Sequence, residues 1–212
     1  MVDLTGEIVL SRRALAQPSP GIVPGGDCGA CCLAGALAIT IERAYDLQDK
    51  DHRAKDKPEQ PYAFGWSAMS WALKNAGWGE NDLVEAVFDA VPLWVHAYNS
   101  PIMQHGLPGH MMNGTWWEYL CMALRGGHYG FCSICAEGKG PLAPDDHWVL
   151  VCGARSRPEP MKEFPGCNRH HQEILVSCSA RHPEGKWLEV RDFLTNYGGY
   201  NVILVRPKEK RP

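Results

Sequence analysis

The sequence lacks any run of about 20 apolar residues, the length a helix needs to cross a bilayer. Its longest apolar stretch, Cys31 to Ile41, is interrupted by Thr40. No membrane partner is therefore expected. It also lacks an excess of charge. The formal net charge is −3, and Lys and Arg are scattered apart from the C-terminal Arg206-Pro207-Lys208-Glu209-Lys210-Arg211. Without a basic stripe, no nucleic-acid partner is expected. The opening Met1-Val2-Asp3-Leu4-Thr5-Gly6-Glu7 has neither the basic start nor the apolar stretch of a secretory signal, which leads to the expectation of a cytoplasmic protein. No internal repeat or low-complexity block occurs.

Nine cysteines are present, an odd number in a chain of 212 residues. Disulfide frameworks belong to short secreted chains with paired cysteines. Free thiols, a catalytic thiol or a metal site are the better readings here. The length suits one domain with a substantial core. We expect a single domain over 1–212, with a core of about 20–206, an extended N-terminal arm over 1–19 and a frayed basic tail over 207–212.

Local patterns divide the chain. Ala30 to Arg43 is a proline-free run of small and apolar residues, too long for a strand and suited to a buried helix. Asp27 is its expected N-cap. Residues 46–61 read as a surface loop or frayed helix end. Helices are expected over Ser67–Ala76, Asn81–Phe88 and Thr115–Arg125, the first closed by Gly77 and the last by Gly126-Gly127. Residues 92–113 look irregular. Strands are expected over Tyr129–Ala136, Trp148–Gly153, Glu173–Cys178 and Asn201–Val205, with a short helix around Val190–Leu194. Helices first and strands later predict an α+β domain with segregated halves.

The segment Gly25-Gly26-Asp27-Cys28-Gly29-Ala30-Cys31-Cys32 is the first candidate site. Thiolates are the nucleophiles, and a helix N-terminus lowers a thiol pKa through its free N–H groups and dipole. A cysteine after a Gly-rich turn, opening a buried helix, therefore suits a nucleophile. Backbone N–H groups around Gly26, Asp27 and Gly29 can hold an oxyanion. The competing reading is that Cys28, Cys31 and Cys32 are small core residues. Cys32 is expected on a different face from Cys28.

A thiol nucleophile needs a histidine, distant in sequence and close in space. His147 stands at the mouth of an apolar strand, in Asp145-Asp146-His147-Trp148-Val149-Leu150-Val151, where a rigid element can hold an imidazole. His96, His105 and His110 lie in the irregular segment. His170 and His171 follow Cys167 in an apparent insertion over Arg155–Gln172, and His128 has no evident partner.

Together these motifs resemble papain-fold cysteine peptidases, and more closely the bacterial branch that removes double-glycine leader peptides. Asp27-Cys28-Gly29-Ala30-Cys31-Cys32-Leu33-Ala34 matches that branch's Asp-Cys-Gly-x-x-Cys-Leu-Ala pattern, and His147-Trp148-Val149-Leu150-Val151 matches its histidine-led strand. The resemblance implies a papain-like fold: an N-terminal helical half carrying the catalytic cysteine and a C-terminal antiparallel β-sheet half. It implies a cysteine hydrolase acting on a peptide or isopeptide bond of a peptide or protein substrate, with Cys28 as nucleophile, His147 as base and no cofactor. In the plant-type register Cys31 would be the alternative nucleophile. Two further positions depart from the family. The glutamine six residues before the nucleophile is Ile22 or Gly25, depending on register. The acid after the third strand is replaced in Val176-Ser177-Cys178-Ser179-Ala180 by Cys178 or, alternatively, Ser179.

These departures also fit a catalytically degenerate binding protein, and an amidase or acyltransferase would use the same acyl step. A third reading is a zinc-stabilised module built on Cys28-x-x-Cys31, Cys132-x-x-Cys135 and Cys167 with His170 or His171. Cys132 and Cys135 lie in an expected strand, however, where residues three apart face opposite sides. No metal site is therefore assigned.

Overall fold

The computed structural model describes residues 6–18, 27–48, 66–76, 114–134, 147–160, 168–197 and 201–205. Its centre is an antiparallel sheet of six strands: β1 (Gly6–Val9), β2 (Tyr129–Ile134), β3 (His147–Pro160), β4 (Asn168–Cys178), β5 (His182–Glu189) and β6 (Asn201–Val205). The order is β5-β4-β3-β2-β6, with β1 paired to β3 beyond the end of β2. The helices are α1 (Cys28–Leu37), α2 (Ile41–Asp46), α3 (Trp66–Asn75), α4 (Gly114–Arg125) and α5 (Val190–Tyr197). The domain is thus α+β with an antiparallel sheet.

The helices do not form a separate half. Alternation along β2 sends Tyr129 and Phe131 to one cluster, with residues of α1, α2 and α3, and Cys132 and Ile134 to another, with residues of α4 and α5. Helices therefore cover both faces. A β-bulge at Cys152 keeps Val149, Val151 and Ala154 on the α4 and α5 side.

The expected helix over Ala30–Arg43 is two helices. Ala38 adopts a left-handed conformation (φ 56°) and returns its N–H to the Ala34 carbonyl, which ends α1. Thr40 then caps α2, its hydroxyl accepting from the Arg43 N–H at 3.2 Å. Leu47 and Gln48, expected at the surface, are buried. The apparent insertion over Arg155–Gln172 is largely strand, because β3 and β4 stay paired from Leu150↔Ser177 out to Pro160↔Asn168. Pro158 and Pro160 are tolerated because, among the described residues, only β4 pairs with β3 there. Arg155 ties this hairpin together, donating to Glu173 at 2.6 Å and lying 4.0 Å over the Trp187 ring. β5 was not expected; its sequence, His182-Pro183-Glu184-Gly185-Lys186-Trp187-Leu188-Glu189, is too polar to read as a core strand.

Residues 6–18 of the N-terminal arm pack against the core. After β1, the Leu10 N–H donates to the Cys152 carbonyl at 2.8 Å. Ala14 is buried, and its N–H donates to the Ser177 hydroxyl at 2.9 Å. The Arg12 guanidinium donates to the Ala36 carbonyl in the last turn of α1, a favourable place for a cation. Gly35 permits this crossing, since a Cβ there would lie 1.8 Å from the Arg13 carbonyl oxygen. The expected helix over Asn81–Phe88, the irregular segment with His96, His105 and His110, and the basic tail lie outside the described residues.

Candidate active site

Helix α1 opens at Cys28, and its first intrahelical bond runs from the Cys31 N–H to the Asp27 carbonyl at 2.7 Å. The N–H groups before Cys31 thus have no partner within the helix. Asp27 sits at the N-cap position, but its side chain makes no capping bond. This departs from the expected cap. The carboxylate is fully buried and accepts instead from the Tyr45 hydroxyl of α2. Burial, then the bonded carboxylate, pushes the Tyr45 phenol pKa upward.

Strand β3 opens at His147 against this helix end. The peptide after it is gripped by two cysteines of α1. The Trp148 N–H donates to Cys28 Sγ at 3.4 Å, and Cys32 Sγ donates to the Trp148 carbonyl at 3.5 Å. Cys32 therefore shares the face of Cys28, contrary to expectation: four residues along a helix bring a side chain back to within about 40°.

Strand β4 ends at Cys178 beside the opening of β3. His147 Nε2 lies 3.1 Å from Cys178 Sγ. His147 also acts electrostatically on Cys28, so one imidazole serves two thiols. Cys28 packs toward the α1 side of the sheet and Cys178 toward the α4 and α5 side. The site therefore spans both faces at the rim of the sheet.

The electrostatics follow from these contacts. Burial alone would raise the Cys28 pKa. The bond to His147 and its charge, then the N–H groups of Trp148 and Gly29, outweigh burial and lower it. Cys178 behaves alike: against burial, His147 and the backbone N–H groups of Arg181 and Ala180 bring it from 9.0 down to about 7. Burial would lower the His147 pKa, but the bonds to Cys178 and Cys28 raise it from 6.5 to about 10. The arrangement favours imidazolium and thiolate over the neutral pair, and the thiolate is the reactive form of a cysteine.

The chain matches no family model, no curated protein and no solved structure.

The other candidates separate from the imidazole. Cys31 is fully buried, and burial, then the charges of Asp27 and Cys28, pushes its pKa up to about 12. The alternative nucleophile is thus an inert core thiol in this geometry. Ser179 is buried in the turn after β4, and its hydroxyl makes no hydrogen bond among the described residues. It is Cys178, not Ser179, that meets His147. Gly29 lies in the first turn of α1 with its N–H near Cys28. Gly26, Ile22, Gly25, Asp146, Cys135 and Cys167 lie outside the described residues. His128, without an evident partner in the sequence, has Nδ1 3.0 Å from the Ala123 carbonyl at the end of α4. His171 lies 3.8 Å from Glu189 on the β4–β5 pair. Among the described residues, no three metal-ligating side chains are grouped to hold an ion, and no helix is long and apolar enough to cross a membrane.

Sequence reasoning missed the Trp148 peptide and the turn N–H groups of Ala180 and Arg181. Backbone groups leave no residue-type signal. It also missed the Asp27–Tyr45 bond, though Tyr45 follows Asp27 closely enough in sequence to have been a candidate.

Proposed function

We propose that the chain is a papain-like cysteine hydrolase acting on peptide or isopeptide bonds. The observation that carries this reading is the contact of one imidazole, His147, with both Cys28 and Cys178 at the opening of a helix. A thiolate held by an imidazolium at a helix N-terminus is built for acyl transfer.

The reaction follows from the placement. The Cys28 thiolate attacks the substrate carbonyl carbon. A C–S bond forms, and the carbonyl electron pair moves to oxygen. Backbone N–H groups at the start of α1 face the developing oxyanion, in a role that the family's upstream glutamine otherwise shares. As the intermediate collapses, the C–N bond breaks and the leaving amine takes the proton of the His147 imidazolium. Water then attacks the thioester, giving its proton to His147. Release of the acid restores the ion pair. Cys178 does not touch the substrate; it orients the imidazole and neutralises its charge, the part played by the family's acid. The reducing cytoplasm suits a protein whose chemistry needs a free thiolate.

Iodoacetamide tests the reading, with peptide mapping of each cysteine. Cys28 should be alkylated fastest near neutral pH, His147→Ala should slow it by about two orders of magnitude, and Cys31 should stay unmodified until denaturation. A peptide library incubated with wild type and with Cys28→Ala should show new termini only with wild type. Equal reactivity of all cysteines, together with identical library profiles, would sink the proposal.

A further inference from the structure

The position where a triad enzyme carries a carboxylate is filled here by a thiol, and that changes what can happen to it. A carboxylate is inert to peroxides, whereas a thiolate is oxidised by them. Seven cysteines are described, and five of these, Cys31, Cys32, Cys121, Cys132 and Cys152, are buried. The two that are partly exposed, Cys28 and Cys178, are the two that meet His147.

Cys178 sits where an anion is favoured. His147 Nε2 is 3.1 Å from its sulfur, and the nearby backbone of Ala180 and Arg181 in the β4–β5 turn adds to the stabilisation of its thiolate, while the Arg181 N–H donates to the Cys178 carbonyl at 3.3 Å. The same turn is anchored at Ser179, whose carbonyl accepts from the Gln17 N–H at 2.9 Å. The turn beside Cys178 is therefore fixed by the N-terminal arm as well as by β4. A thiolate held this way, and reachable from solvent, has the features of an oxidisable sensor cysteine.

We propose that Cys178 is a site of reversible oxidation by hydroperoxides, and that its oxidation switches off the Cys28–His147 pair. The switching role rests on the reading of Cys28 and His147 as the acyl-transfer pair; the oxidation itself does not. The thiolate sulfur attacks one peroxide oxygen, an S–O bond forms, the O–O bond breaks and hydroxide (or alkoxide) leaves. Sulfur is oxidised by two electrons and the peroxide is reduced. The resulting sulfenic acid is neutral, so His147 loses the anion that held its proton. A low-molecular-weight thiol converts the sulfenic acid to a mixed disulfide and water. A second such thiol attacks that disulfide, restores the Cys178 thiol and leaves the small-molecule disulfide.

The full-length Cys28→Ser protein, treated with a small excess of hydrogen peroxide in the presence of dimedone, tests the oxidation. Peptide mapping should find the dimedone adduct on Cys178 and not on the five buried cysteines. The same mapping on wild type reads Cys178 independently of that variant's folding. Without dimedone, peroxide should slow iodoacetamide alkylation of Cys28 in wild type at least severalfold, and dithiothreitol should restore the rate. In Cys178→Asp, peroxide exposure that leaves Cys28 unoxidised by mapping should not slow it. Absence of the Cys178 adduct in both proteins overturns the proposal, even where Cys28 alkylates fast. If Cys28 proves unreactive while the Cys178 adduct forms, the hydrolase reading fails and the oxidation site stands.

Discussion

His147 Nε2 and Cys178 Sγ stand 3.1 Å apart, at the first residue of β3 and the last of β4. The antiparallel pairing of these strands, in register at Leu150↔Ser177, brings together residues that sequence separates. The thiol then does two things to the imidazole. It restricts the ring's rotation, and it stabilises the protonated form.

The first consequence is a displaced histidine titration. The His147 pKa is raised from 6.5 to about 10, so the ring keeps its proton through neutral pH and loses it only as the pH rises through about 10. Proton NMR of the imidazole should show no transition near 6.5 and one near the upper value. On the proposed mechanism acylation needs that proton for the leaving amine, so the alkaline limb of kcat/KM should fall in the same range. A His147 transition below pH 7 would contradict the observed contacts.

Substitution at Cys178 should move that titration in a predictable direction. Removing an anion beside a cation lowers the cation's pKa by about one to three units. Cys178→Ala should therefore shift the His147 transition and the alkaline limb toward acid. Cys178→Asp supplies a carboxylate in the same place and should leave both elevated. Identical titrations in wild type and Cys178→Ala would show that the thiol does not act on the ring.

Gly35 controls how the N-terminal arm meets α1. A Cβ at this position would sit 1.8 Å from the Arg13 carbonyl oxygen, so backbone must move. Gly35→Ala should destabilise the domain by about 1–3 kcal/mol, the range for overpacking a close contact. Chemical denaturation should show a lower midpoint with an unchanged slope. An unchanged midpoint would mean that the arm does not pack here in solution.

Tyr45→Phe removes one donor from the buried Asp27 carboxylate. Hydrogen bonds to charged groups contribute roughly 1.5–3 kcal/mol, and the variant should lose stability on that order. Asp27 is next to Cys28, so the alkylation rate should also change, while Thr40→Ala, which removes the cap of α2, should cost about 1 kcal/mol of stability without changing that rate. Equal effects of the two variants on the alkylation rate would argue against a link from Tyr45 through Asp27 to Cys28.

The sequence by itself determined the local pieces. The small apolar run after Cys28 specified a buried helix, the continuous apolar run Val149-Leu150-Val151 specified a core strand, and the Gly-rich segment marked a thiol at a helix start. These are short-range properties, set by side-chain size, backbone freedom and periodicity. The same local reading merged α1 with α2, because the left-handed turn at Ala38 leaves no glycine to announce it. It passed over β1 and β5, whose edge positions ask little of their side chains. Tertiary structure decided which cysteine meets the imidazole. Cys28 and Cys31 both follow Gly25-Gly26 in sequence, but of the two only Cys28 lies on the helix face that docks on Trp148, while Cys31 is fully buried. Tertiary structure likewise chose Cys178 over Ser179, because Cys178 is the last residue of β4 beside the opening of β3, whereas the chain turns away at Ser179, whose carbonyl is held by the Gln17 N–H.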